Sequence, residues 1–301
     1  MIKPRIAVTG SNGLVASVLI PRLRMEGYDI TRILRPETPE FANDVVRWNI
    51  DSGHIEAAKL ENHFAVIHLA GAGLAAHRWS PSYKKIIFGS RVNGTRLLCE
   101  TLAKLKHPPK VLLSASAVGI YGNHPSHVTV DEDTTSGNGY LADICRAWEA
   151  ETRPAVKAGI RVVHLRFGMV LSTKGGALGK MLVPFKCGMG GTIGSGGQVM
   201  SWISIDEIPG IVLHLLQGSL RGAVNVVSPN AVSNHEFTKA LGEVLHRPTV
   251  LPLPGLLVSA MFGEMGEALL LGGARVFPKR LTESGYSFRQ PELKETLRSL
   301  I

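Results

Sequence analysis

The segment Arg5-Ile-Ala-Val8-Thr9-Gly10-Ser11-Asn12-Gly13-Leu14-Val15-Ala16 constrains this chain more than any other. Residues 5–8 read as a β-strand and the apolar run after Gly13 as a helix, with Gly10, Gly13 and Ala16 at three-residue spacing across the turn. Gly10 permits the sharp turn, Gly13 lets backbone N–H groups approach a diphosphate, and Ala16 keeps the helix close to its strand. A glycine triplet alone marks no more than a tight turn. Here it closes the first strand and opens a helix inside a βαβ unit, where bare amides receive a pyrophosphate. Gly10, Ser11, Asn12 and Gly13 are therefore candidate cofactor-binding residues. Pro21, inside the helix that follows, removes one backbone bond and predicts a kink.

The same rhythm continues. Asp29–Leu34, Val45–Trp48, Ala65–Leu69, Lys110–Leu113 and Arg161–Leu165 read as strands between helical patterns, which predicts an α/β protein built on a Rossmann-type, doubly wound parallel sheet. A helix is predicted from Ser80, a capping residue ahead of Pro81, to Leu105, and another from Tyr140 to Thr152. After Leu171 the texture changes: nine glycines between Lys174 and Gln198 predict long loops over a site. With 301 residues available, the expected division is a dinucleotide-binding domain over 1–171 and a smaller C-terminal α/β substrate lobe over 172–301. A strand near 223–227 returns to the first domain, and Ser233 to Glu236 reads as a capping box.

Composition narrows the partners. The 33 Lys+Arg and 24 Asp+Glu give a formal charge of +9, but the basic residues are scattered and the aromatics are only 9 Phe, 5 Tyr and 4 Trp. A nucleic-acid surface is not expected. Cys99, Cys145 and Cys187 lie far apart with no C-x-x-C pair, so no disulfide framework or metal site is expected and the three read as reduced, packed thiols. The N-terminus, from Met1 to Ile6, carries no apolar signal region. The apolar stretch Leu251–Phe262 contains two prolines and a glycine and is too short to cross a bilayer. It reads as core packing of the C-terminal lobe rather than a partner-binding or membrane-surface helix. The expected location is the cytoplasm.

The choice of dinucleotide rests on the carboxyl end of the second strand, where an acid accepts ribose hydroxyls and an Arg pairs with a 2′-phosphate. Asp29 opens that strand. Leu34 and Arg35 close it, so Arg35 faces the ribose and NADP is favoured over NAD, with Arg32 as a second partner.

Thr9-Gly10-Ser-Asn-Gly13-Leu-Val-Ala16, Ile67-His-Leu69-Ala70-Gly71-Ala-Gly73, Ser114-Ala-Ser116-Ala-Val-Gly-Ile-Tyr121-Gly122 and Leu165-Arg166-Phe-Gly168-Met-Val-Leu171 together resemble the extended short-chain dehydrogenase/reductases, the family of sugar-nucleotide epimerases and dehydratases. The resemblance covers nearly the whole chain. Arg78-Trp79, Gly89-Ser90-Arg91-Val92, Leu182-Val-Pro184-Phe185, Gly188-Met-Gly-Gly191, Ile193-Gly194-Ser195-Gly196 and the module from Ser233 onward are most similar to its epimerase-like branch, to which the label putative cell-division inhibitor is attached. The resemblance implies that Leu69, Ala70 and Gly71 lie along the cofactor, that Arg91 stands near the ribose or pyrophosphate, and that the chain forms a homodimer through the two helices beginning at Ser80 and Tyr140.

Relatives of this kind use a Ser/Thr and a Tyr-x-x-x-Lys pair, in which the ammonium holds the nicotinamide ribose and favours tyrosinate. Ser116 matches the serine, with Ser114 as a competitor, and Tyr140 matches the tyrosine. Four positions on stands Ile144, so the family's lysine is missing. Without it a phenol near its reference pKa of about 10 is only about one part in a thousand ionised at neutral pH. Three readings follow: Arg91 substitutes as the cation, Tyr121 or another group carries protons, or the protein binds NADP without turnover. Two functions therefore stand beside each other: an NADP-dependent oxidoreductase or epimerase acting on an unidentified small molecule, and a lapsed, cofactor-binding regulatory or scaffolding protein. Met200 and Trp202 suggest an apolar ligand surface, with core packing the other role for Trp202.

Overall fold

Eight strands form one sheet: β1 (Arg5–Thr9), β2 (Asp29–Leu34), β3 (Val45–Asn49), β4 (His54–Ile55), β5 (Ala65–His68), β6 (Val111–Ala117), β7 (Arg161–Phe167) and β8 (Gly222–Val226). The computed structural model describes residues 3–39 and 44–301, so Met1 and Ile2 of the N-terminal segment read above lie outside the described residues. The spatial order is β8-β7-β6-β5-β1-β2-β3-β4. All neighbours run parallel except the short β4, which returns antiparallel to β3. The chain thus builds outward from β1 to β4, crosses back to β5, and builds the other way to β8. Strand order reverses between β1 and β5, the crevice where α/β sheets of this kind bind ligands.

Strand alternation shows that both faces of the sheet are covered. Ile6, Val8, Ile67, Leu113 and Val163 pack on one side with helix α1 (Leu14–Met25) and the Ile208–Gln217 helix, while Ala7, Val66, Leu112 and Val162 pack on the other. Leu98, Cys99 and Leu102 of the Gly94–Ala103 helix close that second side. A separate buried cluster is formed by Leu178, Leu182, Phe185, Trp202, Phe237, Leu241, Leu293 and Leu297, all from beyond residue 171. Trp202 is fully buried there and its indole N–H donates to the Asn230 carbonyl at 2.9 Å, so it is core rather than ligand surface.

Several expectations need correction. The helix predicted over Ser80–Leu105 runs unbroken from Pro81 to Ala103, as α2 (Pro81–Phe88) and α3 (Gly94–Ala103), but with an unforeseen π-helical turn over Gly89–Asn93 between them. Periodicity cannot reveal one extra residue per turn, and such turns recur at functional sites. The glycine-rich stretch predicted as loops contains a helix, Gly176–Lys186, because Leu178, Leu182 and Phe185 share one buried face and outweigh the propensity of Gly176 and Gly179. Cys187 is exposed, unlike Cys99 and Cys145. In the Gly255–Phe262 helix Val258 is buried and Phe262 packs partly buried against a core cluster, yet Leu256 is 86% exposed and Leu257 and Met261 also face outward, so core packing accounts for only part of that stretch. Pro21 does lie inside α1.

The helix Asn234–Leu245 opens on the expected capping box, with Ser233 Oγ accepting from the Glu236 N–H and the Glu236 carboxylate accepting from the Ser233 N–H. Ser233→Ala should cost about 1 kcal/mol. Chemical denaturation monitored by circular dichroism checks this; an unchanged midpoint would show the cap to be idle.

Candidate functional site

The carboxyl ends of β1 and β5 meet at the glycine-rich turn. Gly10 adopts φ +63°, and a Cβ built on it would lie 2.8 Å from the Leu69 carbonyl carbon and oxygen and 2.9 Å from the Ala70 nitrogen. Only glycine satisfies both the dihedral and the space. The Gly13 N–H donates to the Gly10 carbonyl at 2.9 Å, closing the turn ahead of α1. Ser11 is buried, and its Oγ has no partner among the described residues. Asn12 and Gly13 are exposed. An unpaired buried hydroxyl costs free energy unless something outside the chain meets it. A diphosphate laid on the exposed Asn12–Gly13 side of this turn would meet that hydroxyl.

Thr9 ties the two strand ends together. Its Oγ1 accepts from the Leu69 N–H at 3.0 Å and from the Ala70 N–H at 3.2 Å, and contacts His68 Nδ1 at 2.7 Å. With its lone pairs taken by amides, the hydroxyl proton goes to Nδ1, so the ring carries its proton on Nε2 and donates to Thr95 Oγ1 at 2.9 Å. Burial pushes the His68 imidazole down to about 4, which keeps it neutral in this role. The sequence reading missed Thr9, His68 and Thr95 as a group, because only the β1–β5 register, Thr9 beside His68, brings them together.

At the end of β2, Leu34 is buried and Arg35 exposed. The Arg35 carbonyl accepts from Arg47 Nη1 at 2.9 Å, and the same nitrogen reaches the Thr38 carbonyl at 2.7 Å, so Arg47 on β3 braces the turn that presents Arg35. Arg32 lies mid-strand, paired with Val8 and Val45, with Nε 3.7 Å from Asp44 Oδ2. It stands two residues before the strand end where a second phosphate partner was expected.

Leu69, Ala70 and Gly71 run out of β5 along the crevice, and the π-helical turn holds the segment behind them. Ser90 Oγ accepts from the Ala72 N–H at 3.0 Å, and Arg91 Nη2 donates to the Ala72 carbonyl at 3.0 Å. The Arg91 guanidinium lies against Gly71, sits 5.2 Å from the Trp148 ring centroid, and is buried.

Beyond this point opens a cavity of about 1020 Å³ to which Arg91, Ser116, Tyr140, Ile144, Cys145 and Trp148 all contribute. Ser116 lines it; Ser114, buried with an unpartnered Oγ, does not. In register, Ser116 stands beside Arg166, and Arg166 beside Asn225, making a polar row across β6, β7 and β8. Glu149, from helix α4 (Tyr140–Ala150), closes over that row. It accepts from Ser116 Oγ at 2.6 Å and from Arg166 Nε and Nη2, both at 2.9 Å. Burial pushes the Glu149 carboxyl up, but Arg166, His164 and the Ser116 hydroxyl outweigh it and hold the group below its ordinary value. Glu149 was not read as a site residue, since nothing in its spacing from Tyr140 signals a partner on β6. Tyr121 is fully buried outside the cavity, its hydroxyl donating to Asn225 Oδ1 and accepting from Arg166, which removes it as a proton carrier.

Tyr140, the first residue of α4, donates to the Lys84 carbonyl at 3.3 Å. The Lys84 ammonium lies 4.5 Å from the Tyr140 ring centroid and pairs with Glu264. A lysine does stand beside the tyrosine, but over the ring face and from α2. Ile144 is buried among Trp79, Tyr83, Ile87 and Met265. Burial and the Glu264 charge push the Tyr140 phenol above its usual value, against a smaller downward pull from Arg91. Burial also pushes the Cys145 thiol up to about 11, so it is no nucleophile at neutral pH.

Comparison with known proteins decides the lineage: the family model described as the NAD dependent epimerase/dehydratase family matches residues 6–227. The chain belongs to that family. A second model, a domain of unknown function (DUF1731), matches residues 253–300. Within the epimerase/dehydratase family, an epimerase family protein of Mycobacterium bovis is 40% identical over 293 residues, covering 97% of this chain and 96% of that one. The crystal structure of human epimerase family protein SDR39U1 (isoform 2) with NADPH superposes with a TM-score of 0.89 at 32% identity, covering 98% of each chain. A structure titled as the nucleoside-diphosphate sugar epimerase of Corynebacterium glutamicum superposes at 0.80 with 29% identity, covering 99% of this chain and 58% of that one.

The Glu149 cluster carries a pH signature. A carboxyl held below its unfolded value of about 4.5 adds stability that is present above that pH and is lost as pH falls through the folded value. Glu149→Gln should therefore lower stability at pH 7 and flatten the loss below about pH 4.5. Denaturation midpoints measured across pH 3–7 check this, and parallel curves for parent and variant would contradict it.

Proposed function

We propose that this chain is an NADP(H)-binding oxidoreductase or epimerase-like enzyme acting on a small molecule held between the Ser116–Tyr140 end of the cavity and the lobe that follows residue 171. The observation that carries the reading is the cradle at Gly10–Gly13: a buried Ser11 hydroxyl without a partner beside a glycine with no room for a side chain, where strand order reverses. The NADPH in the human relative's structure supports the choice of dinucleotide, as does an exposed guanidinium at Arg35. Gly10, Ser11, Asn12 and Gly13 would hold the diphosphate, Leu34 and Arg35 the phosphorylated ribose, Leu69, Ala70 and Gly71 the flank, and Arg91 the approach to the nicotinamide ribose.

The chemistry that a bound NADPH supplies is hydride donation; the rest falls to the protein. A phenol raised above its ordinary value stays protonated at neutral pH, so Tyr140 offers a hydrogen bond, and ultimately a proton, to a substrate oxygen. Ser116 gives its proton to Glu149, which leaves its lone pairs to accept from a substrate hydroxyl. Ile144 supplies no cation, and Arg91 is the positive group with a favourable pull on the phenol. A lapsed enzyme that binds NADP as a regulator is the second reading, favoured by the burial of Ile144 where the family places lysine. Among the described residues no helix is long and apolar enough to cross a membrane, and the cytoplasmic location is part of the proposal. So is a homodimer in which Ile86 and Phe88 of α2, exposed here, become covered; sedimentation showing a monomer at micromolar concentration would remove it.

Calorimetry on nucleotide-free protein should register NADPH binding. Arg35→Asp should weaken it by tenfold or more, the value of one charged hydrogen-bond partner, while leaving NADH within about threefold; equal effects on both would take Arg35 out of the site. Gly10→Ala should abolish binding of either dinucleotide. Once a turnover substrate is found, Tyr140→Phe should lower kcat by at least about a hundredfold, and unaltered turnover would favour another proton donor.

A further inference from the structure

The cavity beyond the nicotinamide end is built for an apolar molecule. Trp148, Met169, Met181, Leu253, Phe262 and Leu269 contribute to its wall, drawn from α4, the short Met169–Leu171 strand, the Gly176–Lys186 helix and the C-terminal segment. Its outer edge is apolar as well: Met189 is 57% and Leu251 is 54% exposed, and Leu256, Leu257 and Met261 continue the same character outward.

The polar side chains around the cavity are largely occupied by the protein. Gln198 Nε2 donates to the Ile193 and Leu270 carbonyls at 2.9 and 2.8 Å, Ser201 Oγ to the Ala274 carbonyl at 2.8 Å, and Asn234 Oδ1 accepts from the Ile193 N–H at 2.8 Å. Arg91 and Lys180 are the cations among the described lining residues. Arg91 donates to the Ala72 and Ile87 carbonyls, and Lys180, exposed at the edge, to the Ala75 carbonyl at 2.7 Å. Among the described lining residues a second diphosphate leaving water finds no uncommitted cation, and the exposed Asn123 and Asn138 offer it neutral amides alone. Unmet hydrogen-bonding capacity lies at the inner end, where the buried Trp148 indole N–H has no acceptor and the Tyr140 hydroxyl reaches the Lys84 carbonyl at a long 3.3 Å.

We propose that the substrate is a neutral ketone, aldehyde or alcohol with an extended apolar body, its oxygen at the Trp148–Tyr140 end and its chain or rings along the Met181–Leu253–Phe262 wall, and that it is not a nucleoside-diphosphate sugar. This rests on the proposed placement of the polar end at Ser116 and Tyr140. Each additional buried methylene then tightens binding by about three- to fourfold.

Calorimetric titration of the full chain, with and without saturating NADPH, tests the proposal using 2-alkanones of six to ten carbons and UDP-glucose as probes. The expected result is one ketone per chain, affinity climbing with each methylene, and no heat from millimolar UDP-glucose. Ala268→Trp, which places an indole at the cavity wall, should weaken 2-decanone by tenfold or more, while Leu256→Glu with Met261→Glu, exposed at the outer edge beyond the cavity lining, should change it by no more than about threefold; both variants are checked for a parental circular dichroism spectrum. UDP-glucose binding more tightly than 2-decanone, or a flat chain-length series, overturns the proposal. So does loss of binding in the edge variant alone, which would mean adsorption to the surface. A ketone series that climbs in protein giving no heat with NADPH would instead sink the dinucleotide reading and leave the apolar cavity standing.

Discussion

The close approach of β1 to the end of β5 at Gly10 governs the rest of the molecule. The glycine brings the Leu69 and Ala70 backbone to within a distance that no Cβ allows, and Thr9 locks that approach by accepting both amides on one hydroxyl. Because Thr9 must then give its proton to His68, a neutral imidazole is required, and full burial provides it. The crevice is thus held by contacts within the chain, which under the proposed function reduces the ordering that a bound diphosphate would require. Removing the approach would splay β1 from β5 and part the diphosphate cradle from the cavity that Tyr140 and Ser116 line.

The sheet was legible in the sequence because both of its faces are buried. Ile6 and Val8 against Ala7, or Leu113 against Leu112, produce short apolar runs bounded by turn residues, and the parallel order follows from the helices between them. Legibility ended where a contact depends on register between distant strands. Ser116, Arg166 and Asn225 are adjacent only because β6, β7 and β8 pair as they do, and Glu149 reaches them only because α4 crosses above. The π-helical turn at Gly89–Asn93 was hidden for a different reason: it keeps the apolar spacing of a helix on either side while rotating Ser90 and Arg91 toward Ala72. The Gly176–Lys186 helix shows the opposite failure, in which glycine count suggested loops and three buried side chains overruled it.

Ile144 was the feature of the candidate site read most directly, and its surroundings explain why the substitution is tolerated. Its side chain sits in an apolar cluster with Trp79, Tyr83 and Met265, where an ammonium would be desolvated without a partner. Lys84 occupies the nearby position a cation can keep, over the Tyr140 ring and paired with Glu264 at the surface. The charge that relatives place next to the phenol oxygen has thus moved to the ring face, where it does not stabilise a tyrosinate.

That displacement sets the direction of any chemistry at this site. A phenol whose pKa is raised stays protonated and so faces a substrate as a donor, though as a weaker acid than a free phenol, and a serine whose proton is held by Glu149 faces it as an acceptor. The pair is therefore polarised in the opposite sense from a tyrosinate-based oxidation, in which Tyr would take the proton and Ser would give one. A carbonyl oxygen suits Tyr140, while a hydroxyl elsewhere on the same molecule, or on its product, suits Ser116. The apolar wall beyond reinforces the asymmetry: once water is excluded, the hydrogen bond from Tyr140 to a developing alkoxide is made in a low-dielectric setting where it strengthens most. In the proposed reduction the proton would already sit on the group that delivers it, and the raised pKa of that group would have to be offset by the hydrogen bond formed as the alkoxide develops.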